Sequence, residues 1–196
     1  MQIKLYRSAS LSIKYDNFKI LVDPWLTDGE YYGSWSHYPY FNLDKNLDEI
    51  NSHNAIYISH IHPDHCSDET LKKINKNIPV YIHYFHSKFL KAKIERLGFK
   101  VFELENAKRH QLSDSCYINI IAADNCNSEI CYKHYGCTSK TSNGGSQQVD
   151  TMSIISDGES TIVNTNDCPY VLTKSSIQEI KKQYNKIDVL LTGYQT

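Results

Sequence analysis

His60-Ile61-His62-Pro63-Asp64-His65 puts four metal-competent side chains within six residues. Imidazole and carboxylate donors suit zinc, iron and manganese. An extended backbone points His60 and His62 to one face, because successive side chains alternate across a strand. Pro63 fixes φ and fits the first turn of a helix. Asp64 and His65 are therefore expected where a strand becomes a helix. Four donors so close together do not easily bind a single ion. The expectation is that His60 and His62 hold one metal and that Asp64 and His65 serve a second beside it. Two adjacent metals can clamp both the attacking and the leaving oxygen of a hydrolytic step. The competing reading is a solvated loop that happens to be rich in histidine.

The flanking elements must deliver this stretch to a crevice. Ala55-Ile56-Tyr57-Ile58-Ser59 is an apolar β-type run just before it, and Glu69 to Ile74 has helical character after it. Strand carboxyl ends commonly open onto binding crevices. Earlier, Ile3 to Tyr6, Leu11 to Tyr15 and Lys19 to Val22 read as short strands, with Asp16-Asn17 as a turn. Residues 26–46 form a long loop with six aromatics from Tyr31 to Phe41. Loops of that length are usually functional or disordered. This one is expected to wall the site, with Trp25, Tyr32 and Trp35 as candidate substrate-binding residues. The plainer reading is a cover for a sheet edge.

Strand and helix then alternate: Val80 to His83, a helix from Ser87 to Leu97 stopped by Gly98, and a strand from Lys100 to Leu104. Ile118 to Ala123 reads as a strand. Met152 to Ser156 and Thr161 to Asn164 flank Asp157-Gly158 as a hairpin. A helix from Ser175 to Tyr184 and a strand from Ile187 to Leu191 close the chain. This order predicts an α/β fold in one domain over residues 1–196.

His60-x-His62-x-Asp64-His65 after a hydrophobic strand resembles the signature of the metallo-β-lactamase fold superfamily. The resemblance implies an αββα sandwich. It makes Asp23, in Ile20-Leu21-Val22-Asp23-Pro24, the early aspartate that orients a ligating histidine from behind. It makes Asp167 the later aspartate that bridges two metals. Asp23-Pro24-Trp25-Leu26 and the aromatic loop are similar, within the superfamily, to the branch around CMP-N-acetylneuraminate hydroxylase and the sugar-phosphate lactonases. The chain departs from the family pattern twice. The family has a third histidine just before a mid-domain strand, where this chain has Gly145-Ser146-Gln147-Gln148. The family also has a histidine after the bridging aspartate, and none follows His134 here. Either the chain is shortened at its C-terminus or the site is reduced. Asp124 or His134 could supply the missing position. Cys126, Cys131, Cys137 and His134 also have the ligand types of a separate structural zinc, at looser spacing than usual.

Composition bounds the partners. The formal net charge is −1 over 196 residues, so no global field draws the chain to nucleic acid or anionic membrane. No secretory h-region or membrane-length apolar run is visible, and a cytoplasmic location is the default expectation. The six cysteines then read as thiols or ligands, not disulfides. Cys66 and Cys168, beside the motif and beside Asp167, read as packing residues. A small-molecule substrate is expected, and a homo-oligomer is compatible with these features.

The chemistry expected is metal-assisted hydrolysis of an ester, lactone, amide or phosphodiester bond, the substrate being sugar- or nucleotide-linked if the narrower likeness holds. The cofactor expected is a divalent metal, two zinc ions by default, with iron or manganese as options. Asp64 and Asp167 would orient the activated water and take its proton. The absent histidines favour an alternative: a degenerate domain that binds metal or ligand without turnover. An iron-dependent oxygen or redox enzyme is a third option.

Overall fold

The computed structural model describes residues 1–85, 88–122, 150–168, 178 and 180–193. Its frame is two sheets packed face to face. The first has six strands in sequence order: β1 (Gln2–Arg7), β2 (Ser10–Tyr15), β3 (Phe18–Val22), β4 (Ala55–Tyr57), β5 (Val80–His83) and β6 (Val101–Leu104). β1 to β3 form an antiparallel meander, and β3 to β6 run parallel. The second sheet is ordered β11 (Val189–Leu191), β10 (Thr161–Asn164), β9 (Thr151–Ser156), β8 (Cys116–Ala122), β7 (Arg109–Ser113). Its pairs are antiparallel except β10 with β11.

Three apolar layers hold this frame together. Ile13, Ile20, Val22 and Tyr57 of the first sheet meet Ile118, Ile120, Ile155 and Ile162 of the second. On the far side of the first sheet, Leu21, Ile56, Ile58, Val80 and Ile82 pack under the helices α1 (Leu47–Asn51), α2 (Asp68–Lys73) and α3 (Phe89–Arg96), through Ile50, Leu71, Leu90 and Ile94. On the far side of the second sheet, Ile121, Met152, Ile154 and Val163 meet Ile180 and Tyr184, at a helical stretch containing residues 180–183. The layers run helix, sheet, sheet, helix, the αββα sandwich. The parallel strands carry apolar side chains on both faces because both faces are covered.

Local chemistry explains several element ends. Ser67 caps α2, its hydroxyl accepting from the Thr70 N–H. The helix thus starts at Asp68, and Pro63 does not open it: residues 61–66 form a turn, with the His65 and Cys66 N–H groups both donating to the His62 carbonyl. α1 and β7 were not anticipated. α1 is five residues long, and β7 is a polar strand on the sheet edge. Among the described residues no helix is long and apolar enough to cross a membrane.

His53 clamps α1 to the first sheet. Its Nδ1 lies 2.8 Å from the Ile50 carbonyl and its Nε2 2.8 Å from the Ser12 hydroxyl. Nδ1–H therefore donates to the carbonyl and Nε2 accepts from Ser12. Burial lowers its pKa below 6.5. A histidine depressed in this way contributes stability that is whole above 6.5, and that falls as pH drops through 6.5, because the unfolded chain takes the proton first. The urea midpoint is expected to fall between about pH 7.5 and 5.5, and to fall less in His53→Gln. An equal fall in both proteins would show that His53 is not the group responsible.

Candidate metal centre

Both sheets deliver side chains to one end of the sandwich. Asp23 follows β3 directly and adopts φ 45°, a left-handed conformation that an L-residue holds only when its surroundings fix it. The surroundings are specific. Asp23 Oδ1 accepts from the Ser59 N–H at 2.7 Å, and Oδ2 accepts from the Ser59 hydroxyl at 2.8 Å and from His65 Nδ1 at 2.9 Å. Ser59 lies just beyond β4, so Asp23 bridges the ends of two parallel strands. Thr151, the first residue of β9, ties in the second sheet: its hydroxyl donates to the Ser59 carbonyl at 2.8 Å and lies 2.7 Å from the Tyr57 hydroxyl.

Six donor side chains meet on this platform. His60 Nε2 lies 2.9 Å from His62 Nδ1, 3.7 Å from Asp150 Oδ1 and 3.8 Å from Asp167 Oδ2. His65 Nε2 lies 3.4 Å from Asp64 Oδ2 and 3.3 Å from Asp167 Oδ2. Two sets have their donor atoms all within 4.8 Å of one another: His60, His62 and Asp150, and His60, His65 and Asp167. Bonds of about 2.1 Å to a tetrahedral ion separate ligand atoms by about 3.4 Å, so this spacing suits metal binding. The Nδ1 atoms of His60 and His65 are engaged behind, by the Ser59 hydroxyl at 3.0 Å and by Asp23, which leaves both Nε2 atoms forward. Metal-ligating histidines are characteristically held this way.

The donor set passes a test of fit. Asp150 Oδ1 is buried and accepts no hydrogen bond. Burial pushes the Asp150 carboxyl up to about 6. A buried carboxylate with no donor is costly unless a cation meets it. His60 is driven down to about 3, by burial first and then by the neighbouring His65 and His62. Burial also opposes charge on His65, but Asp23, Asp167 and Asp64 together push it up to about 12. Asp64 is held well below the usual carboxylate range by His65 and Tyr31, against the effect of burial. Hydrogen bonding to His65 likewise lowers Asp167. Three imidazoles and three carboxylates arranged in this way suit divalent cations.

Asp150 stands where the family resemblance implies a histidine, and so was not among the expected ligands. The available signal was an acidic residue directly before the apolar strand Thr151 to Ile155. His60, His62, Asp64, His65 and Asp167, all anticipated, are brought together with it. The expected division, His60 with His62 and Asp64 with His65, changes: His60 stands between both sets. Asp124 and His134, with the cysteine cluster around them, lie outside the described residues. Cys66 and Cys168 are buried in apolar clusters, and burial pushes both thiols up to about 12, in keeping with packing roles.

The aromatic loop does reach the site, through a different residue from those expected. The Tyr31 hydroxyl donates to Asp64 Oδ1 at 2.8 Å, and its ring sits 4.8 Å from that of Trp35. Tyr31 and Tyr32 both have positive φ, 49° and 60°. Tyr32 and Trp35 are exposed. Trp25 is placed differently from the other two: it is 2% exposed and packs beneath the loop against His37, not on an exposed wall.

A family model described as a beta-lactamase superfamily domain matches residues 2–195. A Mycobacterium tuberculosis protein provisionally named a Rieske 2Fe-2S iron-sulfur protein is 25% identical over 199 residues, which cover 99% of this chain and 34% of that protein. The cytidine monophosphate-N-acetylneuraminic acid hydroxylase of Xenopus laevis is 32% identical over 87 residues, covering 42% of this chain and 14% of the hydroxylase. The chain thus spans about a third of the mycobacterial relative's length and less of the hydroxylase's. The fold is similar to the crystal structure of isothiocyanate hydrolase from Delia radicum gut bacteria, with a TM-score of 0.66 and 20% identity over 92% of this chain and 68% of that one. Sandwich architecture, the histidine–aspartate cluster and the match over nearly all residues agree: this chain belongs to the metallo-β-lactamase fold superfamily.

Proposed function

We propose that this chain is a metal-dependent hydrolase acting on an ester, lactone or phosphodiester bond of a small substrate. The observation that carries the reading is the convergence of three histidines and three aspartates at one end of the sandwich, with Asp150 Oδ1 buried and without a hydrogen bond among the described residues. His60, His62 and Asp150 would hold one ion, and His65, Asp167 and Asp64 the other. Such ions supply Lewis acidity and lower the pKa of bound water toward neutrality. Asp167 has the most exposed carboxylate of the three aspartates, at 38%, and would take the proton. Tyr31 would hold Asp64 in its orientation through its hydroxyl, with the Trp35 ring packed beside it. Burial, and then the bond to Asp64, keep the Tyr31 phenol protonated, so it acts as a donor there. The test is a screen of esters, lactones and phosphodiesters with protein loaded with zinc, manganese or iron, beside His60→Ala. Turnover lost in the variant supports the reading. Equal turnover in both, or none with any metal, would oppose it and favour a binding domain without catalysis.

A second reading has its own observation. His60, His62 and Asp150 make a set of two histidines and one carboxylate, a combination that suits non-haem iron oxygenases. Two relatives carry names of a hydroxylase and of an iron-sulfur protein, which supports the same direction. Iron as the isolated metal, with oxygen uptake in the presence of a reductant, would favour this reading over hydrolysis.

A further inference from the structure

Beneath the aromatic loop lies a second cluster of polar side chains outside the metal-binding set. Arg7, the last residue of β1, is 6% exposed. Its Nη2 pairs with Asp28 Oδ1 at 3.1 Å, but Nε and Nη1 are buried without an acceptor. Its guanidinium carbon lies 5.7 Å from the centre of the Trp25 ring. The Trp25 and His37 rings are in contact, with centroids 3.9 Å apart. Trp25 Nε1 and His37 Nε2 are also buried and unpartnered. These three side chains thus leave four buried nitrogens without a hydrogen-bond partner among the described residues.

That arrangement is costly as it stands. Each buried donor left unmet costs about 1–3 kcal/mol, and more when it belongs to a charged group. Asp28 satisfies one edge of the guanidinium and is itself 43% exposed, so it does not fill the interior. An indole N–H can only donate, and a guanidinium has no acceptor. The partner missing from the Arg7 and Trp25 N–H groups must therefore be an acceptor, and bonds from a guanidinium are strongest to a negatively charged one. The guanidinium fork matches carboxylate and phosphate oxygens.

The cluster adjoins the metal centre through two connections. The Ser10 hydroxyl accepts from the Trp25 N–H at 2.7 Å and donates to the Asp23 carbonyl at 2.6 Å, and Asp23 holds His65. His37 belongs to the loop whose Tyr31 binds Asp64, and the Asp64 charge reaches the His37 ring. His37 is only partly buried, so the cluster comes nearest the surface on its side.

We infer that Arg7, Trp25 and His37 form an anion subsite that receives a carboxylate or phosphate group of the substrate while the metal centre acts elsewhere on the same molecule. The assignment of the anion to a substrate rests on the hydrolase reading; the existence of the subsite does not. Anchoring a remote anionic group would position the scissile bond and select charged substrates over neutral ones.

The chain has two tryptophans, so indole N–H signals in a nitrogen–proton correlation spectrum report on Trp25 directly, with Trp25→Phe giving the assignment. Inorganic phosphate and acetate are titrated separately into chelator-treated protein and into metal-loaded protein. The expected result is a saturable shift of the Trp25 signal in both forms, with half-saturation at about 1–10 mM for at least one anion. Phosphate alone would assign a phosphorylated substrate, and acetate alone a carboxylate. Arg7→Met should weaken the response at least about tenfold, by removing the charge-assisted bonds. Should Arg7→Met fail to fold, His37→Phe provides the control and is expected to weaken the response as well. No saturable shift up to about 50 mM would overturn the subsite, since binding weaker than that lies below any useful affinity. So would a shift seen only with metal loaded, or one unchanged in the folded variants. Because the indole signal requires no turnover, failure of the subsite and failure of hydrolysis are read separately.

Discussion

Asp150→Ala is expected to leave about one metal equivalent per chain where the parent protein holds about two, and to lower turnover by at least about 100-fold. The reasoning begins with position. Asp150 stands directly before β9, and its Oδ1 lies 3.7 Å from His60 Nε2 with no hydrogen bond of its own. It completes a three-donor set with His60 and His62. Removing it leaves two histidines, too few for a tight site. Stability of chelator-treated protein should move the opposite way. The substitution removes a buried carboxyl that burial disfavours in its charged form, so the variant should be as stable as the parent or more so. Asp150→His should retain about two equivalents, because imidazole is itself a good ligand, and shift preference toward zinc. Elemental mass spectrometry and urea unfolding check both halves. Unchanged metal content in Asp150→Ala would remove this residue from the site.

Asp23→Ala carries the second large effect, on folding as well as on metal. The side chain is fully buried and accepts from the Ser59 N–H, the Ser59 hydroxyl and His65 Nδ1. Alanine leaves a backbone N–H and a ring nitrogen unmet in the interior, and forces φ 45° on a residue with no polar group to stabilise it. Breaking a buried pair of this kind costs about 3–5 kcal/mol. Metal affinity should fall about 10–100-fold as well, because His65 loses the partner that orients it. Asp23→Asn keeps an acceptor and tolerates the left-handed backbone, so its loss should lie between the two. Urea midpoints for the three proteins test the order. A cost below about 0.5 kcal/mol for Asp23→Ala would show that the strand ends are held together without it.

Much of the frame was legible because the signals were local. Val80 to His83 alternates and is bounded by turns, and the hairpin at Asp157-Gly158 follows from its turn chemistry. The motif at His60 to His65 announced the site, and Asp23 and Asp167 followed from resemblance. What escaped required tertiary information. Arg109 to Ser113 is polar and reads as loop, yet it pairs with β8 at the sheet edge. Pro63 suits a helix start, but the Ser67 hydroxyl provides the cap four residues later. Counting aromatics in the loop could not tell Trp25, which faces inward against Arg7 and His37, from Trp35, which faces outward. Asp150 escaped because chemistry at a ligand position is defined by donor atoms in space, and a carboxylate can stand where an imidazole was sought.

The central claim is that these six side chains build a two-metal centre. Metal content of protein purified without chelator, measured by elemental mass spectrometry beside His60→Ala, tests it most directly. His60 completes the set with His62 and Asp150 and stands beside His65 and Asp167, so its loss should remove the first ion and weaken the site of the second. About two equivalents of zinc, iron or manganese are expected in the parent and about one or fewer in the variant. Less than about a tenth of an equivalent in both proteins, after exposure to each metal, would contradict it.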